Sequence, residues 1–142
     1  MKKGYQIVLI ACCVVLTNNL ILQAQNWQSP EEANQMKNPF TENIKSTEKG
    51  RKIYSKLCWS CHGKTGKGDG PAALALKPAP ANYGKGTIQE QTDGAIFWKI
   101  TNGKGSMASY KSILTDDQRW MLVNYIRFLA KDNADDMSET GE

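Results

Sequence analysis

Cys58-Trp59-Ser60-Cys61-His62 reads C-x-x-C-H, the pattern by which a chain takes up a c-type haem covalently. The chemistry accounts for the spacing. Two thiols must reach two vinyl groups on one porphyrin edge and form thioethers there. A single helical turn between Cys58 and Cys61 sets both sulfurs on that edge, and His62 then falls under the iron as its fifth ligand. A redox disulfide would want a βαβ setting, which the sequence lacks. Structural zinc would want a complete tetrahedral set of Cys and His. Outside the apolar leader only Cys58, Cys61 and His62 are on offer.

Working outward, Gly50, Ile53, Tyr54, Leu57 and Cys58 recur at helical spacing. An amphipathic helix capped by Ser46 or Thr47 is therefore expected to run into the motif. Residues 63–83 are punctuated by Gly66, Gly68, Gly70, Pro71, Pro78 and Pro80 and read as loop, with a helical turn over 72–76. The glycine run lacks phosphate-loop spacing and follows no strand. It reads as a loop wrapping one haem edge, where glycine lets backbone approach the ring. Thr92 caps a second helix over 93–102, and Asn102-Gly103 stops it. Thr115-Asp116-Asp117-Gln118 has the form of a capping box. A long helix should follow, from 116 to about 131, burying Trp120, Met121, Tyr125, Phe128 and Leu129. No strand signal or repeat stands out, so the expected class is all-α, with three to five helices around one haem.

His62 is the only histidine, which excludes two imidazole ligands from one chain. Met36 lies in a polar lead-in and Met137 in an acidic tail. Met121 falls mid-helix among apolar residues, where a core role is the stronger reading. Met107 lies in a glycine-bounded loop that can bring its thioether to the open face of the iron. Met107 is the expected sixth ligand, with Met121 or an open, water-bound position as alternatives. Iron held by His62 and Met107 has no vacant position. Its sulfur ligand favours the ferrous state and raises the potential. Such a site suits outer-sphere electron transfer and suits O₂ or peroxide chemistry poorly.

The 142-residue chain has room for one domain with extensions. Residues 1–24 read as a signal peptide: Lys2 and Lys3, an apolar run over 7–16, and a plausible cleavage point after Ala24. An uncleaved leader, or lipidation at Cys12 of Leu9-Ile10-Ala11-Cys12, would instead anchor the protein to a membrane. Removal of the leader leaves two cysteines, both in the haem motif, and export to the periplasm agrees with haem attachment outside the cytoplasm. Residues 25–43 read as an extended polar lead-in, 44–131 as the folded domain and 132–142 as an acidic disordered tail. The segment 45–131 carries fifteen Lys/Arg against six Asp/Glu, while both flanks are acidic. A basic core of this kind steers toward an acidic redox partner. No aromatic–basic pattern supports a nucleic-acid partner.

Residues 44–131 resemble the small single-haem class I c-type cytochromes of bacteria. Gly50-x-x-x-Tyr54 precedes Cys58-x-x-Cys61-His62-Gly63 and Gly66-x-Gly68-Asp69-Gly70-Pro71. Thr101-Asn102-Gly103 precedes Met107, and Trp120-x-Leu122-Val123-x-Tyr125-Ile126-x-x-Leu129 closes the pattern. The resemblance implies the cytochrome c fold, with first and last helices crossing closely where Gly50 lets Tyr125 approach. It implies a proline carbonyl on the proximal imidazole, with Pro71, Pro78 and Pro80 as candidates. It departs at Ala108, where many relatives carry proline after the axial methionine. The implied function is that of a monomeric electron carrier between periplasmic or membrane redox partners, and not an enzyme in itself. The alternatives are a haem c subunit of a larger, membrane-associated oxidoreductase, and a haem enzyme or gas sensor with a labile sixth ligand.

Overall fold

The computed structural model describes residues 27–139. The leader 1–24, with Cys12 and Cys13, and the last residues 140–142 lie outside the described residues. Two helices dominate, α2 (Ile44–Leu57) and α6 (Asp116–Glu139). They cross at Gly50, where an added β-carbon would lie 2.0 Å from the Met121 carbonyl oxygen and 3.1 Å from Tyr125 Cβ. Only glycine permits that approach. One turn on, Tyr54 packs edge-on against Tyr125, ring centroids 5.1 Å apart. Helix α5 (Asp93–Asn102) adds Ile96, Phe97 and Ile100 to the same core, and Phe97 stacks on Trp120 at 4.0 Å. Shorter helices are α1 (Glu31–Asn34), α3 (Trp59–His62) and α4 (Gly86–Gln89), with a 3-10 turn at Ala73–Ala75. The described residues contain no strand, in keeping with the all-α expectation.

Local chemistry explains where the helices begin and end. The Thr115 N–H donates to Gln118 Oε1 at 2.9 Å and the Gln118 N–H donates to Thr115 Oγ1 at 3.3 Å, a reciprocal cap for α6. Thr92 Oγ1 accepts from the Ala95 N–H at 3.1 Å and starts α5. Gly103, at φ 64°, ends it. The cap of α2 is Asn43, whose side chain accepts from the Ser46 N–H, not Ser46 or Thr47. Ser46 is instead buried inside the first turn, where its Oγ accepts from Asn124 Nδ2 at 3.1 Å.

The segment before α2 is not an extended lead-in. Ala33 is buried and its carbonyl lies where a Cβ on Gly94 would fall. Asn38 donates to Asp93 and to Asn124, at 2.9 and 2.7 Å, and Phe40 packs on the core. Polar side chains thus hold this stretch in place, a signal that hydrophobic periodicity does not carry. At the other end, α6 runs on to Glu139 instead of stopping near 131. No Gly or Pro interrupts residues 131–139, and extending a formed helix is cheap. Its buried side comprises Trp120, Leu122, Val123, Tyr125, Ile126 and Leu129, whereas Phe128 is 48% exposed and Met121 half-buried.

Candidate functional site

Cys58 ends α2 and opens α3, with φ −117° and ψ −33°. The Cys61 and His62 amides both donate to the Cys58 carbonyl, at 3.2 and 3.0 Å, so the motif forms the expected helical turn. Spacing of three residues then puts both thiols on one side of that turn. Both cysteines are free and half-buried. Burial, and then the neighbouring Cys61, push the Cys58 thiol up to about 12.

The glycine loop secures this turn from behind. The carbonyls of Ser60, Cys61 and His62 accept from the amides of Ala72, Gly70 and Gly68, at 2.9, 3.2 and 2.9 Å. They are end-of-helix carbonyls that would otherwise lack partners. The glycines are needed by the protein's own backbone: a Cβ on Gly70 would lie 2.3 Å from the Ser60 oxygen, and one on Gly68 2.5 Å from the Pro80 oxygen. The loop therefore folds onto the motif, which supplies a reason for its glycines other than close approach to a porphyrin.

His62 is held on two sides. Its Nδ1 lies 3.3 Å from the Ala81 carbonyl, and its ring stacks on Tyr83, centroids 4.9 Å apart and planes within 18°. Neither Pro71, Pro78 nor Pro80 supplies the carbonyl contact; the residue just after Pro80 does. With Nδ1–H donating to Ala81, the Nε2 lone pair is free to ligate. Burial lowers the imidazole's proton affinity, opposed by the Ala81 contact, and favours the neutral form that ligation requires.

Met107 closes a tight turn. The Lys104 and Met107 backbones exchange hydrogen bonds at 2.9 and 3.1 Å, with Gly103 and Gly105 at positive φ. A Cβ on Gly103 would lie 2.4 Å from the Met107 oxygen. Met107 packs against the same core cluster as Cys58 and Ala81. Met121 contributes its carbonyl to the helix crossing instead. The Tyr110 hydroxyl donates to the Leu57 carbonyl at 3.1 Å and ties the segment after Met107 to the residue before Cys58. Ala81, Tyr83 and Tyr110 were missed by motif reading; a lone aromatic in a stretch of small residues was the one available clue to Tyr83.

Two thiols one helical turn apart, an imidazole with one nitrogen committed, and a thioether on the same core fit a covalently attached porphyrin. Among the described residues no cluster of three His, Cys, Asp or Glu is placed to hold a bare ion. The family described as cytochrome c oxidase, cbb3-type, subunit III matches residues 45–126, more than half of the chain. This chain belongs to that family of c-type cytochromes. Cytochrome c6 of Leptolyngbya boryana is 34% identical over 77 residues, covering 54% of this chain and 85% of the relative. A chain of the Kuenenia stuttgartiensis reducing HAO-like protein complex superposes with a TM-score of 0.56 at 31% identity, covering 61% of this chain. The present cytochrome spans 44% of that neighbour's length. The fold is that of cytochrome c, the cofactor is covalent haem c, and the function is electron transfer.

Proposed function

We propose that the chain is a single-haem carrier of the exported compartment that passes one electron at a time between protein partners. Cys58 and Cys61 hold the porphyrin edge, and His62 and Met107 are the axial ligands. The observation that carries this reading is the shared packing of Cys58, Ala81 and Met107 on one core cluster, with His62 Nδ1 committed to Ala81. The bound haem supplies the one-electron couple. The protein's residues hold His62 neutral and oriented, bring Met107 in on a tight turn, and surround both with apolar side chains. A site held on both faces changes charge without exchanging ligands, which keeps reorganisation small.

The partner is an acidic redox protein. Lys45, Lys49, Lys52 and Lys56 recur every three or four residues along α2, all exposed, on a side of the helix away from buried Gly50 and Tyr54. The stripe is about 16 Å long at the helical rise and ends two residues from Cys58. Glu48, beside it, is engaged by Arg51 at 3.0 Å. The leader 1–24 serves export, and the protein works as a monomer in the periplasm. The second reading is a haem subunit within an oxidoreductase complex, favoured by the likeness to a chain of the Kuenenia complex; co-purification with partner chains would select it.

The test is the spectrum of the reduced protein with and without carbon monoxide. Wild type should be low-spin and unchanged by the gas, while Met107→Ala should bind it. Binding by wild type would overturn the saturated-carrier reading in favour of a gas-binding or enzymatic one.

A further inference from the structure

Arg119 is 4% exposed, in the first turns of α6. Its Nη1 donates to three carbonyls of one turn: Leu114 at 2.9 Å, Lys111 at 3.1 Å and Tyr110 at 3.3 Å. Its Nη2 meets Asp116, and its plane lies over Phe97, 5.2 Å from the ring centroid. Nε is buried without a partner among the described residues. Burying a charge with one donor unsatisfied is costly, and an apolar side chain of similar size would pack there at less expense. A guanidinium differs from such a side chain in its planar fork, which grips several oxygens at once.

The oxygens it grips belong to residues 110–114, the segment that leaves the Met107 turn. Few other contacts hold that turn: Met107 packs on the core cluster, and the Ser109 hydroxyl donates to the Thr101 carbonyl at 2.7 Å. Lys104, Gly105, Ser106, Ala108 and Ser109 are all exposed. On its entry side the turn is held by its own two backbone bonds. On its exit side the Tyr110 amide donates to Ile100 and the Tyr110 hydroxyl to Leu57, and Arg119 fixes the turn that carries Tyr110.

We propose that Arg119 is a positioning residue for the sixth ligand: its grip on residues 110–114 keeps Met107 closed on the iron, and so keeps small ligands out. This rests on the assignment of Met107 as an axial ligand. Loss of the grip should leave Met107 visiting open positions much more often, a shift in population and not a loss of fold.

The experiment compares reduced holoprotein of wild type with Arg119→Met, Arg119→Lys, Ile126→Ala and Met107→Ala. The readouts are carbon monoxide binding, amide exchange at residues 107–111 and the reduction potential. Arg119→Met should bind the gas at least about tenfold more readily and exchange faster in that segment. Arg119→Lys keeps the charge but not the fork, and should fall between Arg119→Met and wild type. If Arg119→Met does not fold, Arg119→Lys alone decides. Ile126→Ala removes buried core two turns along α6; it should melt early yet exclude the gas as wild type does. The inference is overturned if the Arg119 variants bind no more gas than Ile126→Ala. If Met107→Ala itself stays closed, the ligand assignment has failed, and the inference falls with it for that separate reason. A change of potential without gas binding would assign Arg119 a purely electrostatic effect, and would also overturn the proposal.

Discussion

At Gly50 the absence of one carbon atom decides the fold. An alanine there would push its Cβ into the Met121 carbonyl at 2.0 Å, against backbone that cannot swing aside as a side chain can. Gly50→Ala should cost about 1–3 kcal/mol, read as a lower urea midpoint with an unchanged slope. Gly50→Val should cost more still. A midpoint equal to wild type would mean that the helices do not meet at backbone distance. The glycine was legible in the sequence, but its partner only in part: Tyr125 is near, and the closer contact is the main chain of Met121. His62 teaches the same lesson. Its position followed from the motif, whereas the carbonyl that orients it belongs to Ala81, because which oxygen faces a ring depends on the path of a whole loop.

Helices were legible where caps and periodicity agree. Thr115 with Gln118, and Thr92 before Asp93, start α6 and α5 where capping chemistry places them. Ser46 looked like a cap by type, yet Asn43 sits three residues earlier and takes that role. Two good cap residues at one helix start are separated only by which side faces the core. The lysine stripe of α2 is a property of the element and not of any one residue. Changing Lys45, Lys49, Lys52 and Lys56 to Gln should slow electron exchange with an acidic blue-copper protein by about tenfold or more at low salt. The difference should shrink as salt screens the field. The same charge removed at Lys64, Lys77, Lys85 and Lys131 should have a smaller effect. Equal slowing in both variants would show that net charge matters and the stripe does not.

Across the whole molecule four tyrosines share one fate. Burial, as the largest cause, raises the pKa of Tyr54, Tyr83, Tyr110 and Tyr125 above the ordinary 10.0. The unfolded chain therefore releases these protons first as pH rises. Their contribution to stability is complete below about pH 10 and is lost progressively above it, toward the higher folded values. Urea midpoints should hold steady up to that point and then fall, with tyrosinate absorbance appearing together with unfolding. Tyrosinate forming in a fully folded protein would contradict this. At this scale the class and the long helices could be read from the chain, whereas the packed segment over 27–43 could not. Its anchors, Asn38 and Asn124, are polar residues far apart in sequence that no periodic pattern links. The crossing at Gly50 also carries a consequence for timing. It joins α2 to α6, and every haem ligand proposed above lies between them. A chain that emerges amino end first presents Cys58 and Cys61 before α6 exists to pack beside them. The thiols are thus open to ligation while the polypeptide is still a thread, and α6, arriving later than both, shuts the door behind the haem.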